Sequence, residues 1–128
     1  MKTDMLDVVG AALEAAGYDP CFKRLDEFTG PEGVVVRQMI PTVLSTDMCG
    51  TKDVLAPYVV LVRSRSELNA METCWGIAEL LGAADLPSRD GSYRFTASVV
   101  QSEPASVALE EDDIHGWAVT MAVRMETD

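Results

Sequence analysis

One histidine and three cysteines leave this chain of 128 residues with few of the side chains that transition metals and nucleophilic catalysis require. Cys21, Cys49 and Cys74 lack the C-x2-4-C spacing of a zinc site, and an odd number at wide separations does not make a disulfide scaffold. The expectation is no metal, no cofactor, and free thiols in a reducing compartment. His115 stands beside Asp112, Asp113 and Gly116, so it reads as an exposed loop residue rather than a general base. Neither G-x-x-x-x-G-K-S nor G-x-G-x-x-G occurs, so no phosphate-cradling loop is signalled. The close pair Arg63 and Arg65 reads as a capping turn rather than an anion site. No apolar segment reaches the roughly 18 residues of a membrane-spanning helix. The opening Met1-Lys2-Thr3-Asp4-Met5 does not read as a signal peptide, and the expected location is the cytoplasm.

Positive charge is also scarce. Ten Lys and Arg stand against twenty-one Asp and Glu, a formal net charge of -11. Such a surface repels phosphate over most approaches, which excludes sequence-specific nucleic-acid binding and docking on an anionic membrane. Hydrophobic residues make up 48%, enough for a packed core, and the length suits one domain over residues 1–128.

Periodicity predicts the elements. Leu6, Val9, Leu13 and Ala16 line one face of a helix over 4–16, with Thr3 or Asp4 as cap and Gly17 as stop. A short strand is expected from Cys21 to Leu25, and a β-branched strand over 34–40 that ends near Pro41. The polar stretch 45–53 reads as a mobile loop. Tyr58-Val59-Val60-Leu61-Val62 is apolar on both alternating faces, which suits a central strand covered on both sides or packed on a subunit. A helix over 66–81 follows, with Ser64-x-x-Glu67 as capping box and Ser66 as a competing cap. Ala70, Cys74, Ile77 and Leu81 form its stripe; Met71, Trp75 and Ala78 widen it toward core or a subunit contact, and Gly82 ends it. Residues 93–102 and the segment from Trp117 to Met125 alternate and can pair antiparallel. The expected fold is α+β: a mostly antiparallel sheet of four to five strands with two main helices on one face.

Tyr58-Val59-Val60-Leu61-Val62-Arg63-Ser64 running into the helix Ala70 to Leu81, then Leu86-Pro87-Ser88-Arg89-Asp90-Gly91-Ser92-Tyr93-Arg94-Phe95, Ser102-Glu103-Pro104 and the strand from Trp117 resemble one family. They are similar to the minor capsid and tail-terminator proteins of tailed phages and prophages of Gram-positive bacteria, over most of the chain and above all from residue 55 onward. The resemblance implies a structural protein and no enzyme. Such proteins form rings, typically hexamers, at the head-proximal end of the tail tube. They stop tube growth and meet tail-tube and head-completion proteins, so they would be found in the host cytoplasm during assembly and then in the virion neck.

Two segments are candidates for partner or lumen contact by position: the 45–53 loop with Asp47, Lys52 and Asp53, and the 103–116 connection with Glu110, Glu111, Asp112 and Asp113. Adjacent carboxylates in a loop are not aimed across a cleft and lack the D-x-D-x-D-G calcium pattern, so this run reads as a solvated turn. In a ring it would keep passing DNA off the wall. The competing class is an acidic, dimeric, cytoplasmic chaperone of the type III secretion kind, although those chains end in a helix and this one ends in an alternating strand. A small-molecule enzyme would need a polar cleft that the sequence does not signal.

Overall fold

The computed structural model describes residues 3–18, 33–107 and 114–127, and the backbone of 21–22. Helix α1 spans Met5–Ala15 and buries Met5, Val8, Val9 and Leu13. Ala16 falls outside the buried stripe. The helix stops at Gly17, whose φ of +90° lies in the left-handed region. There Tyr18 N–H donates to Leu13 O and Gly17 N–H to Glu14 O, both at 3.0 Å, the two bonds of a Schellman motif. Asp4 occupies the N-cap position, but its side chain makes no cap hydrogen bond.

The strands are β1 Cys21–Phe22, β2 Gly33–Gln38, β3 Thr42–Thr46, β4 Lys52–Ser64, β5 Arg94–Val107 and β6 His115–Thr127, with helix α2 at Glu67–Ala83. The fold is α+β. Five strands lie in the order β1-β2-β4-β6-β5, and β3 pairs with β4 off that path. Every pairing is antiparallel except the short β1–β2 contact. The central strand is β4, as its doubly apolar sequence requires. It pairs with β6 along its whole length, from Lys52↔Thr127 to Ser64↔His115.

Alternation along β4 separates two faces. Val54, Ala56, Tyr58, Val60 and Val62 are buried in one core cluster with α1 and α2, while Leu55, Pro57, Val59 and Leu61 point the other way and are half-buried. In α2 the inward stripe is Ala70, Cys74, Ile77, Ala78 and Leu81. Leu81 is fully buried, so its truncation to Ala costs about 2–5 kcal/mol. Trp75 lies outside the core, 40% exposed.

Several expectations are corrected. The cap of α2 is Ser66, whose Oγ accepts from Asn69 N–H at 3.3 Å. Ser64 closes β4 instead, and its hydroxyl oxygen accepts from Ser66 N–H and Asn69 Nδ2, each at 3.2 Å. The helix runs through Gly82, where a Cβ would stand only 3.4 Å from the Val100 side chain. His115 opens β6 rather than lying in a loop. Strand β5 continues past Glu103-Pro104; the register shifts between Ser102 and Ala105, and an edge strand tolerates the missing proline N–H. Residues 23–25 of the predicted first strand lie outside the described residues.

Pro57 sits inside the central strand, where proline is normally excluded. Partner exchange explains it: β2 pairs with β4 as far as Gln38↔Tyr58, and β3 takes over at Thr42↔Leu55. Within a strand a residue's N and C=O point to the same side. The Pro57 carbonyl accepts from Met39 N–H at 2.9 Å, so its nitrogen faces the gap between the two partners, where no ladder bond is lost.

Candidate functional site

The 45–53 segment is not a loose loop but the closed end of the β3–β4 hairpin. Thr46 pairs with Lys52, and Ser45 with Asp53. Asp47 organises the turn. Its Oδ1 accepts from Cys49 N–H and Thr51 N–H, each at 2.9 Å, and its own N–H donates to Thr51 O at 2.9 Å. Gly50 N–H donates to Asp47 O at 3.2 Å, and the Gly50 φ of +86° closes the turn. A short polar side chain that bonds backbone amides two and four residues on is the usual way to fix such a bend. The Asp47 carboxylate is therefore occupied with its own loop.

Asp53 and Lys52 project to opposite faces of β4. Asp53 takes a bidentate contact from Arg124 of β6: Nη2 to Oδ2 at 2.6 Å and Nε to Oδ1 at 3.2 Å. The hydrogen bond from Arg124 holds the Asp53 carboxyl below the usual carboxylate range against the opposing effect of burial, with a lesser contribution from the guanidinium charge. A second pair, Arg94 Nε to Glu126 Oε2 at 3.3 Å, lies beside it on the same face. Asp47, Asp53 and Glu126 share a polar hollow of about 240 Å³ with Ser45, Thr51, Thr96 and Arg124. Among the described residues no group of three or more His, Cys, Asp or Glu is placed to hold a metal ion. The other candidates, Glu110, Glu111, Asp112 and Asp113, lie outside the described residues.

Two features escaped the sequence reading. The first is the exposed apolar character of residues 39–48. Met39, Ile40, Val43, Leu44 and Met48 all stand in solvent, with Ile40 87% exposed. The signal was available in Met39-Ile40 and Val43-Leu44, but Pro41 between them reads as an ending. The second is the sheet face turned away from the helices. Register places Arg37, Val59, Thr120 and Ser102 on one rung, Val35, Leu61, Ala118 and Ala105 on the next, and Arg63, Gly116 and Val107 beyond. A groove of about 940 Å³ runs over Val35, Val59, Leu61, Ala118 and Val107, with Arg37 in its wall and residues 38–41 as its lip.

Two thiols are described. Cys49 is exposed in the hairpin turn. Cys74 is buried on the inner face of α2, and burial pushes its thiol up to about 11. No described helix is long and apolar enough to cross a membrane.

No protein-family model matches the chain, and no curated protein does. Among solved structures, the fold is similar to that of a chain in the virion of a native gene transfer agent particle. The TM-score is 0.64 and the identity 17%, over 93% of this chain and 84% of that one. At that identity the likeness is one of fold.

Proposed function

We propose that the chain is a structural protein of a phage or phage-like virion. Within that class we read it as a tail terminator or minor capsid protein that rings the head-proximal end of the tail tube, stops tube growth and joins tail to head. The observation that carries the reading is the fold likeness to a gene transfer agent virion chain over nearly the whole of both chains. The resemblance carried by Tyr58 to Ser64, Ala70 to Leu81, Leu86 to Phe95 and the strand from Trp117 implies the same class. The geometry is of the kind such a role uses. It offers an apolar sheet face on which no described helix lies, a hairpin edged with exposed Met39, Ile40, Val43, Leu44 and Met48, and the carboxylates of Asp47 and Asp53 engaged in a turn and an ion pair. On this reading the protein is not an enzyme. Its partners are copies of itself, the tail-tube protein and a head-completion protein, and it moves from host cytoplasm to virion neck.

The test is polymerisation of the tail-tube protein encoded beside this chain, with electron microscopy of the products. Capped tubes of limited length, bearing a ring at one end, are expected when the chain is added. Unchanged tube growth, with the chain recovered as a stable dimer around a disordered client, would replace the reading with the secretion-chaperone class.

A further inference from the structure

We infer that copies of this chain join through their sheets, the outer edge of β3 in one copy pairing with the outer edge of β5 in the next. The two edges are opposite sides of one end of the sheet. Thr42 lies on the rung of Leu55, Arg124 and Ala97, so the order there is β3-β4-β6-β5. Among the described residues β3 pairs only with β4, and β5 only with β6. All three pairings are antiparallel, so β3 and β5 run in opposite directions. A copy set alongside in the same orientation therefore offers each edge an antiparallel mate, and the sheet continues without reversal.

Both edges are uncharged in a chain whose net charge is -11. Residues 38–46 contain no Asp, Glu, Lys or Arg, and neither do residues 95–102. Strand edges are normally guarded by such charges, because free N–H and C=O groups template pairing with another chain. Both edges are also apolar. Of ten large hydrophobic side chains exposed among the described residues, eight fall on these two sides: five at 39–48, and Val99, Val100 and Val107 on β5. Together the eight expose on the order of 700 Å², most of the apolar area in a standard interface of about 1,600 Å².

A second copy is the occupant because the two edges answer each other. Identical acidic chains repel wherever their carboxylates meet, so a surface that they share carries few of them. These two surfaces are of that kind, and they stand level. Met39 N–H donates to Pro57 O, and Pro57 shares its rung with Ala122 and Val99, which sets 39–46 opposite the first half of β5. A two-fold contact of β3 with itself would leave the β5 edge bare, whereas a heterologous contact covers both edges and repeats into a ring or a filament. The register shifts at Val43/Ser45 in β3, and at Phe95/Ala97 and Val100/Ser102 in β5, leave Ala97 to Val100 regular. The shared ladder is therefore short, about four residues; it fixes the register while the side chains supply buried area. The pairing stands without the function proposed above, and only closure into a ring rests on it.

The test places opposite charges on the two edges and reads association by sedimentation velocity and native mass spectrometry. One variant carries Ile40→Lys with Leu44→Lys, the other Val99→Glu with Gln101→Glu. All four side chains are exposed, and unaltered thermal melts establish that both variants fold. Each alone is expected to associate roughly tenfold or more weakly than the wild type. Their equimolar mixture recovers association, because the new lysines meet the new glutamates while the two unaltered edges pair as before. Amide exchange reads the main chain: residues 42–46 and 97–100 should exchange roughly tenfold more slowly in the associated protein than in the dilute one. Loss of association in only one of the two variants, as a two-fold contact would give, overturns the pairing. So does association indifferent to both, no recovery in the mixture, or protection missing from either edge. Absence of wild-type association up to about 1 mM overturns it as well. Capped tail tubes seen beside any of these results leave the ring reading standing. Filaments that never close, with recovery in the mixture, keep the pairing and remove the ring.

Discussion

Ser88 donates its hydroxyl hydrogen to Asp4 Oδ1 over 2.7 Å, joining the start of α1 to a connection 84 residues later. The same carboxylate accepts from Arg89 N–H at 2.8 Å, Asp90 N–H at 3.2 Å and Ser92 Oγ at 3.2 Å. In return Asp4 N–H donates to Ser92 Oγ at 3.1 Å. This explains why Asp4 does not cap its own helix: its oxygens are engaged by the 88–92 turn. Replacing Asp4 by Ala should therefore loosen two elements at once and cost about 1–2 kcal/mol by urea denaturation. Asp4→Asn, which keeps one acceptor, should cost less.

Acid should remove the same contribution without mutation. Burial tends to raise Asp4, but the bonds from Ser88, Arg89, Asp90 and Ser92 together bring it below its ordinary value. Asp53 is lowered by its hydrogen bond with Arg124, and Asp90 chiefly by the Ser92 hydroxyl and amide. Each carboxylate has a folded pKa under its unfolded one, so the stability it adds is complete above the unfolded value of about 3.9 and is lost as pH falls through the folded value. Urea midpoints taken from about pH 6 to pH 2 should fall below pH 4. The Asp4→Asn, Asp53→Asn double variant should show a shallower fall. Parallel curves for the two proteins would contradict this assignment.

The central strand, both helices and the final strand pairing were legible because burial imposes periods that survive in sequence. Strand β4 reads as apolar on both faces and is central; the α2 stripe from Ala70 to Leu81 is inward as spaced. What failed to read were features set by partners distant in sequence. Asp4 looked like a cap, since no local pattern reveals that residues 88–92 bring four donors to it. The 45–53 segment looked like a loop because β3 is exposed throughout and has no hydrophobic alternation to announce it. Its strand character comes from pairing with β4 alone. The groove on the face turned away from α1 and α2 is assembled from β2, β4, β5 and β6, so it has no single sequence segment to mark it.

Two buried tyrosines should respond in opposite ways to loss of their hydroxyls. Tyr93 donates to the Leu86 carbonyl, which holds the α2–β5 connection against the core. Burial pushes its hydroxyl up to about 12. Tyr58 is raised further by burial, against a smaller lowering from Ser98. The Ser98 hydroxyl hydrogen goes to Leu81 O, and the Tyr58 hydroxyl has no partner in hydrogen-bonding geometry among the described residues. Tyr93→Phe strands a carbonyl and should cost about 1–2 kcal/mol, whereas Tyr58→Phe removes an unpaired buried group and should leave stability unchanged or raised. Calorimetric melts of the two variants decide it, and equal losses would refute the contrast.

Pro57 makes the reverse of the usual prediction for proline in a central strand. Since its nitrogen faces the gap where β2 hands over to β3, Pro57→Ala gains an N–H without a ladder partner and frees the unfolded chain. A loss of about 0.4–1 kcal/mol is expected, where an ordinary strand interior would gain. A higher denaturation midpoint in the variant would show that a partner is available.

The hairpin turn separates folding from surface. Gly50 has a φ of +86° and open space around its Cα, so a side chain there meets no neighbour but strains the backbone. Gly50→Ala should cost about 1–2 kcal/mol locally, and Gly50→Asn less, because asparagine enters the left-handed region more readily. Met48, two residues earlier, is fully exposed. Met48→Ser should therefore leave the melt untouched. Amide exchange resolves the two cases: Gly50→Ala should speed exchange at Cys49 and Thr51, whose N–H groups depend on Asp47, and Met48→Ser should not. Faster exchange in both variants would mean that the turn is held by its exposed methionine rather than by the aspartate.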